Sequence, residues 1–178
     1  MAADWYLQAL EESFRQTGDL DRFVGVEMAF DGFLAACSSA FDAAVSGLIQ
    51  ASERYLQVPQ AKQLPPYERS WAKAAALVEQ TGQAFGSRPS VDAAMVGPAA
   101  NPTGWLSQCR QLRNRTQHEN TLSRAFFGTV GSDRAHQQSE IHVPGLGQVE
   151  PLRYVRTVLP RLRPLVEAIV RDAEAIDP

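Results

Sequence analysis

The chain has 178 residues, a formal net charge of −3, 44% hydrophobic residues and 21% charged residues. That balance fits one globular domain with enough apolar content to bury a core, and it excludes a protein coated in basic charge. The two cysteines, Cys37 and Cys109, form no CxxC pair, the N-terminus has no apolar leader segment, and the window Ala29 to Ile49 carries Asp31 and Asp42, so the expectation is a soluble, reduced, cytoplasmic protein with no membrane contact.

The first predicted element is a short amphipathic helix from Trp5 to Arg15, with Trp5, Leu7, Leu10 and Phe14 inward. Thr17-Gly18-Asp19 stops it and starts the next, with Asp19 or Asp21 as N-cap. Leu20 to Leu56 is the longest helical pattern. Phe23, Phe30, Cys37 and Ala44 recur every seven residues, beside a parallel set of Val26, Phe33, Ala40 and Gly47. A small-residue stripe of Gly25, Ala29, Gly32, Ala36, Ala40, Ala43 and Gly47 runs along it and admits close approach of another backbone. Val58-Pro59 ends this helix and 60–65 is a loop. Pro65-Pro66 opens a third helix, Tyr67 to Phe85, which Gly86-Ser87-Arg88-Pro89 stops. Residues 90–102 read as a connector with one helical turn at Val91 to Met95.

A fourth helix starts at Asn101 or Thr103 and runs from Trp105 to about Phe126, with Trp105, Cys109, Leu112 and Thr116 inward. Within Gly128 to Pro151, the run from Glu140 to Val149 has the pattern of a small hairpin turning at Pro144-Gly145-Leu146-Gly147. The last helix is Leu152 to Ile176, with Leu152, Val155, Leu159, Leu162, Val166 and Ile169 buried. Pro160 and Pro164 should bend it or confine regular helix to the part after Pro164. The fold class expected is all-α: one domain over 1–178, a bundle of about five helices with a small β-hairpin insert before the C-terminal helix.

Charge is unevenly placed. From Trp105 to Arg163 there are nine arginines (110, 113, 115, 124, 134, 153, 156, 161, 163) and four acids (Glu119, Asp133, Glu140, Glu150), a balance of +5, which leaves −8 for the rest of a −3 chain. A basic half on an acidic protein suits an anionic ligand such as RNA. Mutual neutralisation of the two halves explains the same numbers.

The densest chemistry lies between Gln111 and His118. Asn114 and His118 are four residues apart on one helix face. Arg113 and His118 are five apart, about 140° around an ideal helix, so either the arginine reaches across or the helix is irregular there. That spacing suits two groups gripping one ligand from different sides. A histidine exchanges a proton near neutral pH, and an arginine holds a phosphate through two donors. Together they suit metal-free cleavage of an RNA phosphodiester.

Leu112-Arg113-Asn114-Arg115-Thr116-Gln117-His118 resembles the Arg-x(4–6)-His signature of HEPN domains, including the polar residue after the arginine. The resemblance covers this motif, its place on a late helix and the helical character of the chain; the hairpin region departs from the minimal pattern. It implies an all-helical, dimeric, metal-independent endoribonuclease of toxin–antitoxin or defence systems, with two motif copies meeting in one composite site. It implies Arg113 and His118 as the catalytic pair and Asn114 as their support. Arg110 and Arg115 are not fixed by the motif and are expected to bind RNA backbone. The partners implied are RNA, a second copy and an antitoxin or other protein; no cofactor and no metal is implied.

Two other readings stay open. One is a non-catalytic helical module binding RNA, a nucleotide or a protein through the same basic patch. The other is a structural dimer built on the small-residue stripe. His136, Glu140 and His142 fit no standard zinc spacing, and Pro144-Gly145-Leu146-Gly147 lacks the Lys-Ser/Thr ending of a phosphate loop.

Overall fold

A run free of proline from Asp19 to Tyr55, rich in alanine and large aliphatics, has no local reason to leave the helical state. In a computed structural model of the chain it is one helix. The structure describes residues 2–15, 19–55, 68–96, 104–118, 124–127 and 138–176, with backbone alone at 19–23, 68–70, 72, 117–118, 124–127 and 138–139. The element order is α1 (Ala2–Arg15), α2 (Asp19–Tyr55), α3 (Glu68–Thr81), α4 (Arg88–Val96), α5 (Trp105–His118), β1 (Arg124–Phe127), β2 (Gln138–Val143), β3 (Gly147–Val149) and α6 (Pro151–Ile176). The chain is therefore all-α with a small antiparallel sheet before the last helix. The expected loop 60–65, its flanking signals Val58-Pro59 and Pro65-Pro66, Thr17-Gly18 and the caps Asn101 and Thr103 lie outside the described residues.

The chain divides into two compact units. Met1–Ser38 and Met95–Pro160 form one, and Ser39–Ala94 and Arg161–Pro178 form the other. The division falls inside α2 and inside α6.

α2 has 37 residues and is about 55 Å long. In the first unit it buries Val26, Ala29, Phe30, Phe33, Leu34 and Cys37; in the second it buries Phe41, Ala44, Val45 and Leu48. These positions recur three and four apart, the apolar stripe read from the sequence. By length and composition Val24–Tyr55 is also apolar enough to cross a membrane, with mean hydropathy 1.5 in its best window, of which 44% is buried within the protein. A core helix buried on much of its surface needs that same composition. The small-residue stripe meets different surroundings along α2. At Gly32 the Tyr6 ring of α1 lies so close that an added Cβ would stand 2.7 Å from Tyr6 Cδ1, whereas at Gly47 nothing lies within 4 Å.

α1 buries Ala3, Leu10 and Ser13, while Trp5, expected inward, is 62% exposed. Its ring meets Tyr6 edge-on at 4.9 Å instead.

α3 stops four residues earlier than expected. Gly82 takes φ 71°, the left-handed conformation that ends helices, and its N–H donates to the Glu79 carbonyl at 3.3 Å. Phe85 is still buried, with its ring 5.9 Å from that of Trp71. The expected stop at Gly86-Ser87-Arg88-Pro89 is instead the entry to α4. The Ser87 carbonyl accepts the first bond from Val91 N–H at 3.0 Å, and the Ser87 N–H donates to Asp172 Oδ2 of α6 at 2.8 Å. Asp172→Ala leaves that part-buried donor without its acceptor, so it should cost about 1–2 kcal/mol, read as a lower urea midpoint with an unchanged denaturant slope.

α6 is continuous from Pro151 to Ile176, so neither Pro160 nor Pro164 confines it. Both prolines are exposed, on the side where carbonyls released by a missing N–H can take water. Its buried line is Tyr154, Val155, Val158, Leu162, Leu165 and Ile169. Leu152, Leu159 and Val166 are only half-buried. The true stripe is therefore turned slightly from the expected one.

The hairpin expected at 140–149 is present as β2 and β3, with Ile141 opposite Val149 and Val143 opposite Gly147. Val143-Pro144-Gly145-Leu146 is a turn with Leu146 N–H donating to the Val143 carbonyl at 3.0 Å and Gly145 at φ 80°. Proline second and a left-handed glycine third is the type II pattern. Gly145→Val should cost about 1–2 kcal/mol because a β-branched residue is strained there, checked by the same urea titration. The third strand is a correction. Residues 124–127, expected to close the fourth helix, form β1 and pair with β2, Arg124 opposite Ile141.

Candidate functional site

α5 carries the motif. The Gly104 carbonyl accepts its first helical bond from Gln108 N–H at 2.9 Å. Leu106, Cys109 and Leu112 are fully buried and hold the helix in the first unit. Gln108, only 3% exposed, donates from Nε2 to the Pro144 carbonyl at 3.0 Å, which ties the hairpin turn to α5. Where the helix predicted here ran to Phe126, the described helix ends at His118.

The helix is regular from Trp105 through His118, so angular positions follow from about 100° per residue. Arg110, Asn114 and His118 share one face, spanning about 80°. Arg113 sits about 60° to the other side of Arg110 and about 140° from His118. No helical irregularity brings Arg113 and His118 together within one chain. The side chain of His118 lies outside the described residues.

Burial sorts the arginines. Arg110, expected on RNA backbone, is 2% exposed and so is not presented to a ligand at the surface. Arg113 and Arg115 are half-buried, and Asn114 is exposed. The Thr116 hydroxyl donates back to the Arg113 carbonyl at 2.8 Å. The Nε–H of Arg113 is buried and has no hydrogen-bond partner among the described residues. A buried donor left unmade costs about 1–3 kcal/mol. An anion bound along the Nε–Nη edge of the guanidinium would satisfy it through paired bonds.

A second cluster joins residues distant in sequence. Cys109 Sγ lies 3.3 Å from the Tyr154 hydroxyl, and Phe30 packs edge-on against the Tyr154 ring at 6.1 Å. Cys37 is in hydrogen-bond contact with Cys109; that bond first, then burial, raises the Cys37 thiol far above its ordinary value. Burial first, then the neighbouring Cys109, raises the Tyr154 hydroxyl well above its ordinary value. Both groups stay protonated at neutral pH, so Cys37 is no thiolate nucleophile. Sequence reading placed Cys37 and Cys109 on inward helix faces but had no signal that the faces meet.

Other candidates offer less. His142 is exposed and Glu140 half-buried on β2, and His136 is outside the described residues. Among the described residues no group of three or more His, Cys, Asp or Glu side chains could hold a metal ion. The second unit has a shallow groove of about 310 Å³ lined by small residues of α2 (Ala43, Gly47, Ala51) and by Val170, Ala173 and Glu174 of α6. One carboxylate among alanines gives no acid–base pair. Arg153 and Arg156 are exposed on α6, the latter paired with Glu11 at 2.8 Å.

Compared with known proteins, the chain matches no family model, no curated protein and no solved structure.

Proposed function

We propose that the chain is a metal-independent endoribonuclease of the HEPN type, homodimeric and cytoplasmic, cutting single-stranded RNA as a toxin or defence effector. The observation that carries the reading is the buried Nε–H of Arg113, without a hydrogen-bond partner among the described residues, inside the Arg-Asn-x-x-x-His motif. A half-buried guanidinium with an unused donor is a ready anion site. In the reaction the substrate's 2′-oxygen forms a bond to phosphorus, the bond from phosphorus to the 5′-oxygen breaks, and a 2′,3′-cyclic phosphate and a 5′-hydroxyl result. His118 moves the proton, as general base on the 2′-hydroxyl or general acid on the 5′-oxygen. Arg113 neutralises charge building on the phosphorane. Asn114, exposed one residue on, orients the imidazole or holds a phosphate oxygen. Arg115 contacts RNA backbone, and Arg110 acts from within the core as support for α5. No step needs a metal or cofactor.

The test is cleavage of a generic single-stranded RNA in EDTA by wild type and by His118→Ala. Cleavage lost in the variant supports the nuclease. RNA binding without cleavage by either chain moves the assignment to the non-catalytic module, which uses the same exposed Asn114 and half-exposed Arg115.

A further inference from the structure

Beyond the nuclease site, the core of the first unit holds two thiols that the proposed reaction does not use. Cys37 of α2 and Cys109 of α5 are both free and fully buried. They stand on helices far apart in sequence, yet their side chains are in hydrogen-bond contact. Tyr154 of α6 closes the cluster, its hydroxyl 3.3 Å from Cys109 Sγ, and Phe30 packs edge-on against the Tyr154 ring. All four residues belong to the first unit. Among the described residues no group of three or more His, Cys, Asp or Glu side chains could hold a metal ion, so the chemistry open to the pair is that of two thiols.

Two thiols in contact need little movement to become a disulfide. The sulfurs must close from hydrogen-bond contact to about 2.05 Å, which rotation about the two Cα–Cβ bonds and a small shift of α5 can supply. Access is the obstacle. Neither cysteine is exposed, and a thiol attacks as its thiolate, so the closed cluster resists oxidation until α2 and α5 part locally. We propose that Cys37 and Cys109 form a redox lock: a small-molecule disulfide oxidises them to an intramolecular disulfide when the α2–α5 contact opens, and the bond then ties the two helices together. One thiol, deprotonated on exposure, attacks a sulfur of the small disulfide, forms a mixed disulfide and releases one small thiolate. The second thiol loses its proton, attacks the protein sulfur of the mixed disulfide, forms the Cys37–Cys109 bond and releases the second small thiolate. The protein loses two electrons, the small disulfide gains them, and the two protons go to the released thiolates. The bond closes a long loop and so restricts the unfolded chain. Cys109 lies one turn before Arg113 on α5, so the bond also anchors the helix that carries the motif. The lock depends on the α2–α5 packing and not on the nuclease reading, so its test needs no RNA.

The probe is oxidised glutathione, in excess over the intact reduced chain and removed afterwards. Thiols are then counted by mass after alkylation in strong denaturant. None should remain, the chain should run as a monomer on a non-reducing gel, and peptide mapping should show Cys37 joined to Cys109. The oxidised chain should melt about 5–15 °C above the reduced chain, a gain that Cys37→Ala should not show after the same treatment. Urea too dilute to change the helical circular dichroism should speed the loss of thiols at least about twofold, because it raises the open population. Two thiols still alkylated after oxidation overturn the proposal, as does glutathione retained on either cysteine or a disulfide-linked dimer. An oxidised chain that melts at or below the reduced one also overturns it, because the bond then does not fit the native packing. So does an equal gain in Cys37→Ala, or a rate that dilute urea leaves unchanged.

Discussion

Mixing Arg113→Ala chains with His118→Ala chains should restore up to about a quarter of wild-type RNA cleavage, although each variant alone should lose about 10²- to 10³-fold. The reason lies in α5. The helix is regular through His118, which sets the two positions about 140° apart. One phosphate cannot sit between groups so placed on one helix without a long reach by the arginine. Two helices facing across a two-fold axis, as in the proposed homodimer, would solve this, with Arg113 from one chain opposite His118 from its partner. In a random mixture of the proposed homodimers half would be mixed, and each mixed dimer would keep one of two such pairs. Recovery of activity on mixing, read as the rate of RNA cleavage in EDTA, supports the shared site. Inactive mixtures, with wild type active in the same assay, would mean that each chain uses its own arginine and histidine.

Raising the pH from about 9 to 11 should remove up to about 4 kcal/mol of stability through two buried groups. Cys37 and Tyr154 are neutral when protonated, and both are raised above their ordinary values of 9.0 and 10.0. The folded state therefore keeps protons that the unfolded chain loses. Stability is fully present below the unfolded values and falls as pH rises past them, by about 1.4 kcal/mol per pH unit for each group. The thiol contributes from about pH 9, and the phenol adds its share from about pH 10. The cause is the cluster itself: ionising either group puts an anion in the apolar core beside Phe30 and Cys109. Urea unfolding of wild type, Cys37→Ala and Tyr154→Phe at pH 8, 9.5 and 10.5 reads the effect. Each variant should lose less stability than wild type across this range. Parallel losses in all three would assign the alkaline transition to surface charge instead.

Local rules carried the sequence reading a long way, and they failed where two distant segments meet. The Leu20–Leu56 pattern was legible as one helix because nothing inside it breaks helical hydrogen bonding. The Val143-Pro144-Gly145-Leu146 turn was legible because proline and a left-handed glycine impose it. The motif's place on a helix was legible for similar reasons. By contrast, 119–126 contains neither proline nor glycine, so local propensity had no way to end α5 before β1. Strand pairing with β2 decided that, and pairing is a property of two segments. The same holds for Arg110, whose side chain is buried although its charge reads as surface. It holds for Trp5, which the helical period turned inward and the packing of Tyr6 on Gly32 leaves outside.

By itself the sequence determined the helical class, the inward stripe of α2, the hairpin turn, and the order of Arg113, Asn114 and His118 along α5, because each depends on neighbours within a turn or two of chain. Only the tertiary structure decided which arginines reach the surface and that Cys37, Cys109 and Tyr154 share one buried cluster. It alone also decided that Trp5 and Met28 are exposed among the described residues. Those outcomes depend on which faces meet, and helical periodicity says that a face is apolar without saying what it packs against.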